Sequence, residues 1–95
     1  MFLSEFIFLF FDFLTVYTRE SKECYSFFED VCTINEILSL SQRFEVAGML
    51  RAGQTYLDIS EKTGASTATI SRVNRSLNYG NNGYDIVWNY LKEQK

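Results

Sequence analysis

The chain has 95 residues, of which 46 % are hydrophobic, and its formal net charge is −3. A chain of this length forms one domain with a modest core, and its negative charge argues against a nucleic-acid binder that ignores sequence, since such proteins are normally basic. Because there is no histidine, Ser–His and Cys–His catalytic pairs and histidine metal ligands are excluded, and we expect neither an enzyme nor a metal site.

Residues 1–19 form an aromatic-rich segment that we separate from the domain predicted at residues 20–95. Six of the nine phenylalanines lie within the first thirteen positions, interrupted by Glu5 and Asp12. The segment is too short for a comfortable membrane span and lacks the basic start and cleavage site of a secretory signal. Three interpretations remain open for this segment. It is an amphipathic helix or arm that packs on a partner subunit, or it is an atypical first helix. The third interpretation, a membrane-surface anchor, is disfavoured by its acidic residues. We expect no stable membrane association and a cytoplasmic location.

Residues 20–32 are predicted to form a helix, because Cys24, Phe27, Phe28 and Val31 fall on one side of it. Cys24 and Cys32 lie eight residues apart and make no CxxC motif. Free cysteines on helices usually behave as small hydrophobic side chains, so we expect reduced thiols.

Two helices are predicted between residues 33 and 53. Thr33 and Glu36 form a capping box for a short first helix. Ser41 is expected to begin a separate second helix, with Phe44 on its buried side, and Gly53 to end it. We expect these apolar sides to form the core.

Residues 56–77 are predicted to form two short helices joined by a tight turn. Thr55 can cap the first helix, since Asp58 lies three residues on and can bond back to the Thr55 amide. Gly64 occupies the turn, where a residue without Cβ is favoured, and Ser66 or Thr67 caps the second helix. On that helix, apolar residues recur at helical spacing at Ile70, Val73 and Leu77.

The pattern is that of a helix-turn-helix, although many two-helix hairpins with a glycine turn bind no DNA. Residues 41–79 carry five basic and three acidic side chains, whereas residues 1–40 carry two basic and seven acidic ones. The basic excess therefore lies in the segment that holds the two helices. It is small, so two copies on adjacent half-sites would be needed for useful affinity.

A turn-rich linker follows at residues 78–83, and the last helix is predicted from Tyr84 to about Lys92. Its apolar side chains form a broad stripe: Ile86, Val87, Tyr90 and Leu91. This helix is expected to cover the core or a dimer seam, with Trp88 in a packing role.

The run at residues 27–84 resembles the YerC/YecD group of Trp-repressor-like DNA-binding proteins. Its most diagnostic piece is TGASTATISRVNRSLNY at residues 63–79. There, Ala-Thr-Ile-Ser-Arg at residues 68–72 matches an Ala-Thr-Ile-Thr-Arg run after a similar glycine turn in the Trp repressor. The resemblance implies an all-α, Trp-repressor-like helical domain with a helix-turn-helix, assembled as an intertwined homodimer that binds double-stranded operator DNA.

The resemblance also implies which side chains meet DNA. Tyr56 and Ser60 are expected near the DNA backbone. Arg72 and Arg75 are additional candidates, because arginine pairs with guanine or phosphate. The base-facing start of the second helix is expected to comprise Ser66, Thr67, Ala68, Thr69 and Ser71.

A possible effector site follows from the same resemblance. In the Trp repressor, tryptophan is held partly by two arginines; Arg72 falls on one of those positions, Ser76 on a nearby ligand contact, and Arg43 is a candidate for the second arginine. Val73 replaces a glycine of the repressor, and its added bulk points toward the place of the indole. We predict operator binding with tryptophan not required and no resident cofactor; another small-molecule corepressor remains open.

The predicted function is that of a sequence-specific transcriptional regulator, a repressor, that acts as a homodimer. One alternative is a dimeric adaptor that keeps the fold and binds protein instead of DNA, which the acidic first half would fit. Another is the DNA-binding end of a transposase, which would require a cluster of carboxylates placed to hold metal.

Overall fold

The computed structural model describes residues 21–93, which form five helices and contain no strand. The predicted all-α fold is confirmed for this range. The predicted aromatic-rich arm at residues 1–19 lies outside the described residues. In chain order the helices are α1 (Ser21–Val31), α2 (Ile34–Arg51), α3 (Tyr56–Thr63), α4 (Thr67–Tyr79) and α5 (Gly83–Glu93).

The chain divides into two compact units, one ending at Ile37 and the other beginning at Leu38. In the first unit, the rings of Phe27 and Phe28 meet edge to face with centroids 5.7 Å apart. Both side chains are half-buried, whereas Val31 is exposed. Cys32 is a free thiol.

The predicted capping box at the start of α2 is confirmed. The Thr33 backbone N–H donates to Glu36 Oε1 at 2.8 Å, and the Glu36 N–H donates to Thr33 Oγ1 at 3.1 Å. The bond from the Thr33 backbone N–H is the main reason why the pKa of the Glu36 carboxyl is lowered. Two donors at the helix start are thus satisfied within one turn.

The prediction of two helices between residues 33 and 53 is wrong, because α2 continues without a break from Ile34 to Arg51. Ser41 lies inside this helix. An interior serine costs less than about 1 kcal/mol relative to alanine, and no proline interrupts the segment. The predicted end is confirmed: Gly53 has φ 80°, and its N–H donates to the Leu50 carbonyl at 3.0 Å.

The core of the second unit joins the last half of α2 to α3 and α4. Its side chains are between 0 and 6 % exposed: Val46, Ala47, Ile59, Ala65, Ile70, Val73 and Leu77. Four partly buried residues pack around them: Met49, Leu50, Tyr56 and Tyr84. The apolar pattern predicted from the sequence on residues 70, 73 and 77 is therefore the face by which α4 is held. The two helices of the predicted helix-turn-helix share one core with α2.

Arg51 connects three helices of this unit. Its Nη2 and Nε donate to the two carboxylate oxygens of Asp85 at 2.8 and 3.0 Å, and Nη2 also donates to the Leu77 carbonyl at 3.2 Å. These bonds lower the pKa of the Asp85 carboxyl. The end of α2, the end of α4 and the start of α5 therefore meet at one guanidinium group, which has the planar geometry for such bidentate pairing.

None of the side chains of α5 is fully buried. Trp88 lies 5.6 Å from the ring of Phe44, and its ring faces Gly48, where a Cβ would come within 3.2 Å. The predicted apolar stripe is largely exposed, with Ile86 at 63 % and Leu91 at 45 %. Within residues 21–93, no helix combines the length and the apolar character that a membrane crossing requires.

Candidate nucleic-acid interface

The first helix of the motif begins as the sequence predicts. Thr55 has extended backbone angles and its Oγ1 accepts the Asp58 N–H at 3.2 Å. The return bond from the Thr55 N–H to the Asp58 carboxylate is not formed within the described chain. Aspartate is one methylene shorter than the glutamate that closes the box at the start of α2, so α3 carries a half-closed cap.

Gly64 makes the turn after α3 in the left-handed region, at φ 76° and ψ 4°, and its N–H donates to the Ser60 carbonyl at 2.9 Å. The Ser60 hydroxyl donates to the Ala65 carbonyl at 2.9 Å, and the Ala65 N–H donates to Thr63 Oγ1 at 3.1 Å. From α2, Gln42 Nε2 donates to the Thr63 carbonyl at 3.1 Å. The turn is therefore fixed by its own side chains and by α2.

The sequence left the cap of α4 open between two residues, and the structure assigns it to Ser66. Ser66 Oγ accepts the Thr69 N–H at 3.2 Å and donates to Thr69 Oγ1 at 3.1 Å. Thr67 is the first helical residue and is exposed. Two hydroxyls at the tip of α4 are thus held in a fixed relation.

The outward face of α4 is polar and carries no carboxylate. Arg72 and Arg75 are exposed, and neither makes an ion pair with another residue in the described range. The predicted DNA-contact residues that lie exposed at the tip and along this face are Ser66, Thr67, Ala68, Ser71, Arg72 and Arg75, with Thr69 half-buried beside them. The structure brings these seven residues together at one surface.

The two predicted backbone contacts on α3 are placed differently. Tyr56 is half-buried and packs against the core, and Ser60 is half-buried with its hydroxyl bonded inside the turn. Both residues lie on the helix preceding the turn, as the prediction requires. Their part in DNA contact stays a prediction.

Two of the three predicted effector residues line the same groove. Arg43 and Ser76 line an open groove of about 600 Å³, whose walls are apolar side chains of α2 and α5: Leu40, Phe44, Tyr84 and Val87. Arg72 does not line this groove. Val73, whose bulk is predicted to point toward the place of an indole, is buried in the core with 1 % exposure.

Sequence reasoning missed two features of this region. Tyr79 was assigned to the linker, but α4 extends to Tyr79, whose side chain is 86 % exposed. Its spacing of four residues from Arg75 was the signal that could have found it. The supporting bond from Gln42 to the turn joins residues 21 apart, and no local pattern indicates it. Among residues 21–93, no group of three or more cysteine, aspartate and glutamate side chains could hold a metal ion.

Comparisons with known proteins identify the family and the fold of this chain. The model of the family described as Trp repressor protein matches residues 7–93. The uncharacterized protein YerC of Bacillus subtilis (strain 168) is 61 % identical over 75 residues, which are 79 % of this chain and 72 % of YerC. This confirms the resemblance to the YerC group that the sequence indicated.

Two solved structures show the same fold. A TrpR-like protein from Eubacterium eligens ATCC 27750 superposes with a TM-score of 0.78 at 64 % identity, covering 97 % of this chain and 91 % of that one. A candidate Trp repressor from Staphylococcus aureus superposes with a TM-score of 0.76 at 49 % identity, covering 94 and 87 % of the two chains. The predicted Trp-repressor-like fold is confirmed, and the chain belongs to the Trp repressor protein family.

Proposed function

We propose that this protein is a transcriptional regulator, a repressor, that binds double-stranded operator DNA as a homodimer through α3 and α4. The observation that carries the proposal is the exposed face of α4, which holds hydroxyls at its capped start, no carboxylate, and two arginines further along that make no ion pair among residues 21–93. Membership of the Trp repressor family supports it. The protein acts as a binding protein and not as an enzyme, in the cytoplasm.

In the proposed complex, the start of α4 enters the major groove. Small hydroxyl side chains such as Ser66 and Thr69 approach base edges closely, and α3 crosses the DNA backbone. Arg72 and Arg75 neutralise phosphates. The small basic excess of residues 41–79 supplies few such contacts per copy, so affinity requires two copies that bind successive half-sites.

The partner in this dimer is a second copy of the chain. The two copies are intertwined in our proposal, as the resemblance to Trp-repressor-like proteins implies. Large apolar side chains are left exposed in both units, among them Ile34 at 77 % in the first and Ile86 at 63 % in the second. Exposed apolar surface of this kind is typical of a surface that another subunit covers in the assembled protein. The homodimer and its intertwining belong to the proposal.

Tryptophan is not required in the proposed mechanism. Arg72, the residue that the resemblance places beside the ligand, does not line the groove that contains Arg43 and Ser76. Another small anionic ligand remains compatible with that groove, because it offers one guanidinium group and apolar walls. A calorimetric titration tests this point: we expect no tryptophan binding at micromolar concentration, and such binding would overturn it.

The experiment that tests the function is selection of bound duplexes from a random-sequence pool by the full-length protein. We expect enrichment of a two-fold symmetric site whose half-sites lie about 10 base pairs apart or a multiple of this. Absence of any enriched sequence at low and moderate salt contradicts the proposal and favours the adaptor that binds protein.

Two variants then separate the two kinds of contact on the selected duplex. Thr69→Ala is expected to lower the preference for one base pair by about 1–3 kcal/mol. Arg75→Gln is expected to weaken selected and scrambled duplexes alike and to reduce the salt slope by about one for each phosphate that the arginine neutralises. An unchanged base preference in Thr69→Ala removes Thr69 from the site.

A further inference from the structure

Tyr79 ends α4 and is the most exposed of the large hydrophobic side chains that the structure describes, at 86 %. Its phenolic hydroxyl has no hydrogen-bond partner within residues 21–93. Tyrosine is an amphipathic side chain that places a ring on one surface and a donor at its tip. Tyr79 therefore presents an exposed ring and a hydroxyl donor at the end of the proposed reading helix.

Tyr79 lies on the same face of α4 as the two arginines. It follows Arg75 by four residues and Arg72 by seven, so with 3.6 residues per turn the three side chains lie within about 60° of one another around the helix axis. The buried side of α4, formed by Ile70, Val73 and Leu77, points elsewhere. The exposed stripe therefore runs from the tip of the helix to its last residue.

The charge of this stripe favours a polyanion. The other four helices in the described chain each contain aspartate or glutamate, whereas α4 contains two arginines and neither acid. In a chain of net charge −3 this separation leaves one helix face that attracts phosphate. A neutral donor placed at the end of such a face adds a hydrogen bond without adding charge.

The length of α4 determines where Tyr79 would lie on DNA. From Thr67 to Tyr79 the helix rises about 18 Å, at 1.5 Å per residue. The major groove is only about 12 Å wide. When the tip of α4 contacts base edges and the helix lies across the groove, its last turn extends to the phosphodiester backbone at the rim.

We propose that Tyr79 is a further DNA-contact residue, whose hydroxyl donates a hydrogen bond to a phosphate oxygen at the rim of the major groove. This inference rests on the proposed function and extends the contact surface by one full turn of α4. Tyrosine hydroxyls are among the groups that fix register on the duplex without reading sequence. Through Tyr79, the last turn of α4 thus holds the DNA backbone.

The test uses Tyr79→Phe, which removes only the hydroxyl, in the full-length protein. The probes are the duplex recovered by selection and a scrambled duplex of the same composition. We expect binding to both to weaken about tenfold for each half-site, because the variant cannot donate a hydrogen bond to the charged phosphate. The ratio of the two affinities and the salt slope are expected to stay at the wild-type values, since the hydroxyl carries no charge and touches no base. Tyr25→Phe is the matched control: Tyr25 is 70 % exposed and lies on α1, and the variant is expected to bind as wild type.

Ethylation interference locates the contact. We expect wild-type protein to be blocked by ethylation of one phosphate in each half-site at the rim, and Tyr79→Phe to become insensitive at that phosphate alone. Equal binding by wild type and Tyr79→Phe overturns the inference and leaves the proposed function standing. A change in the dissociation constant of the dimer in Tyr79→Phe, measured by sedimentation, also overturns the inference, because it would place Tyr79 in the contact between copies. If wild-type protein selects no duplex, the proposed function itself fails, and the inference with it.

Discussion

Gly64 is the residue at which the chain turns from α3 into α4, in the left-handed region with φ 76°. Apart from the two adjoining residues, no described atom lies within 4 Å of the place of a Cβ at Gly64, so the restriction is conformational and not a matter of space. Most side chains avoid this backbone region because Cβ approaches the neighbouring carbonyl oxygen. The angle between the two helices therefore depends on a residue without a side chain.

Gly64→Ala is expected to lower the free energy of unfolding by about 1–2 kcal/mol, because alanine is strained in the left-handed region. Urea denaturation measures the change. The matched control is Gly83→Ala: Gly83 has no positive φ and equally open surroundings, so alanine there is expected to be neutral or slightly stabilising. Equal effects of the two substitutions would contradict this account of the turn.

The ion pair between Arg51 and Asp85 makes the stability of the domain depend on pH. Because the pKa of Asp85 is lowered in the folded chain by the hydrogen bonds from Arg51, the pair contributes stability above the ordinary aspartate pKa of about 3.9. This contribution is lost as the pH falls through the lower pKa of the folded state. Glu36, whose pKa is also lowered, acts in the same direction.

Asp85→Asn is expected to make the unfolding midpoint fall less between pH 6 and pH 2 than it does in the wild type, since the variant has no carboxyl to protonate at this position. Thermal unfolding followed by circular dichroism at several pH values measures the slope. Glu45→Gln removes a carboxylate that has no ion-pair partner among the described residues, and it serves as the control. A wild-type slope in Asp85→Asn would show that the pair does not act as described.

At the scale of helices, α4 is held by one face and exposed on the other. Ile70 is fully buried between the last half of α2 and α3, so it fixes the helix that we propose to enter DNA. Shortening this side chain leaves a cavity that a small core closes only in part. A cavity at this position therefore weakens the packing that holds the whole helix-turn-helix in place.

Ile70→Ala is expected to destabilise the protein by about 2–5 kcal/mol, a large part of the stability of a small domain. Ile70→Val, which removes one methyl group, is expected to cost about 1 kcal/mol and to keep the fold. Leu57→Ala on α3 is the control, because Leu57 is 69 % exposed and its truncation is expected to change stability by less than about 0.5 kcal/mol. A destabilisation in Leu57→Ala as large as that in Ile70→Ala would contradict the assignment of the core.

Local sequence signals predicted much of these helices. The caps at Thr33 and Thr55 and the left-handed turn at Gly64 depend on residues within four positions of one another, and such interactions leave a pattern in the sequence. The continuity of α2 was missed because Ser41 can either cap a helix or lie inside one. Only the packing of its neighbours decides between the two.

Long-range contacts of the site could not be predicted. Arg51 and Asp85 lie 34 positions apart, and Gln42 and Thr63 lie 21 apart. Which charges and amides meet depends on how α2 packs against α3, α4 and α5. No spacing along the chain encodes that arrangement, so it had to be read from the structure.

At the scale of the whole molecule, the amount of exposed apolar surface is the main feature. Ile34, Leu38, Ile86 and Tyr90 are each at least 60 % exposed. Single exposed apolar side chains are ordinary, but several on one small chain are typical of an interaction surface. The proposed homodimer would bury such side chains.

The midpoint of thermal unfolding is therefore expected to rise with protein concentration. A tenfold increase stabilises a dimer that unfolds to monomers by about 1.4 kcal/mol, which corresponds to about 3 °C for two 95-residue chains that unfold together. Leu91→Glu, which places a charge on the exposed apolar side of α5, is expected to lower the midpoint, whereas the neighbouring Lys92→Glu is the control. A midpoint that does not vary with concentration would contradict the homodimer.

The two faces of α4 also bear on how this family diversifies. The side chains at its tip, such as Thr67 and Ala68, are exposed and contribute nothing to the core, whereas Ile70 and Val73 are fixed by packing. Selection on folding therefore leaves the tip free to mutate. Under the proposed function, a copy that arises by gene duplication can acquire a new operator by one or two substitutions there while the inherited scaffold stays intact.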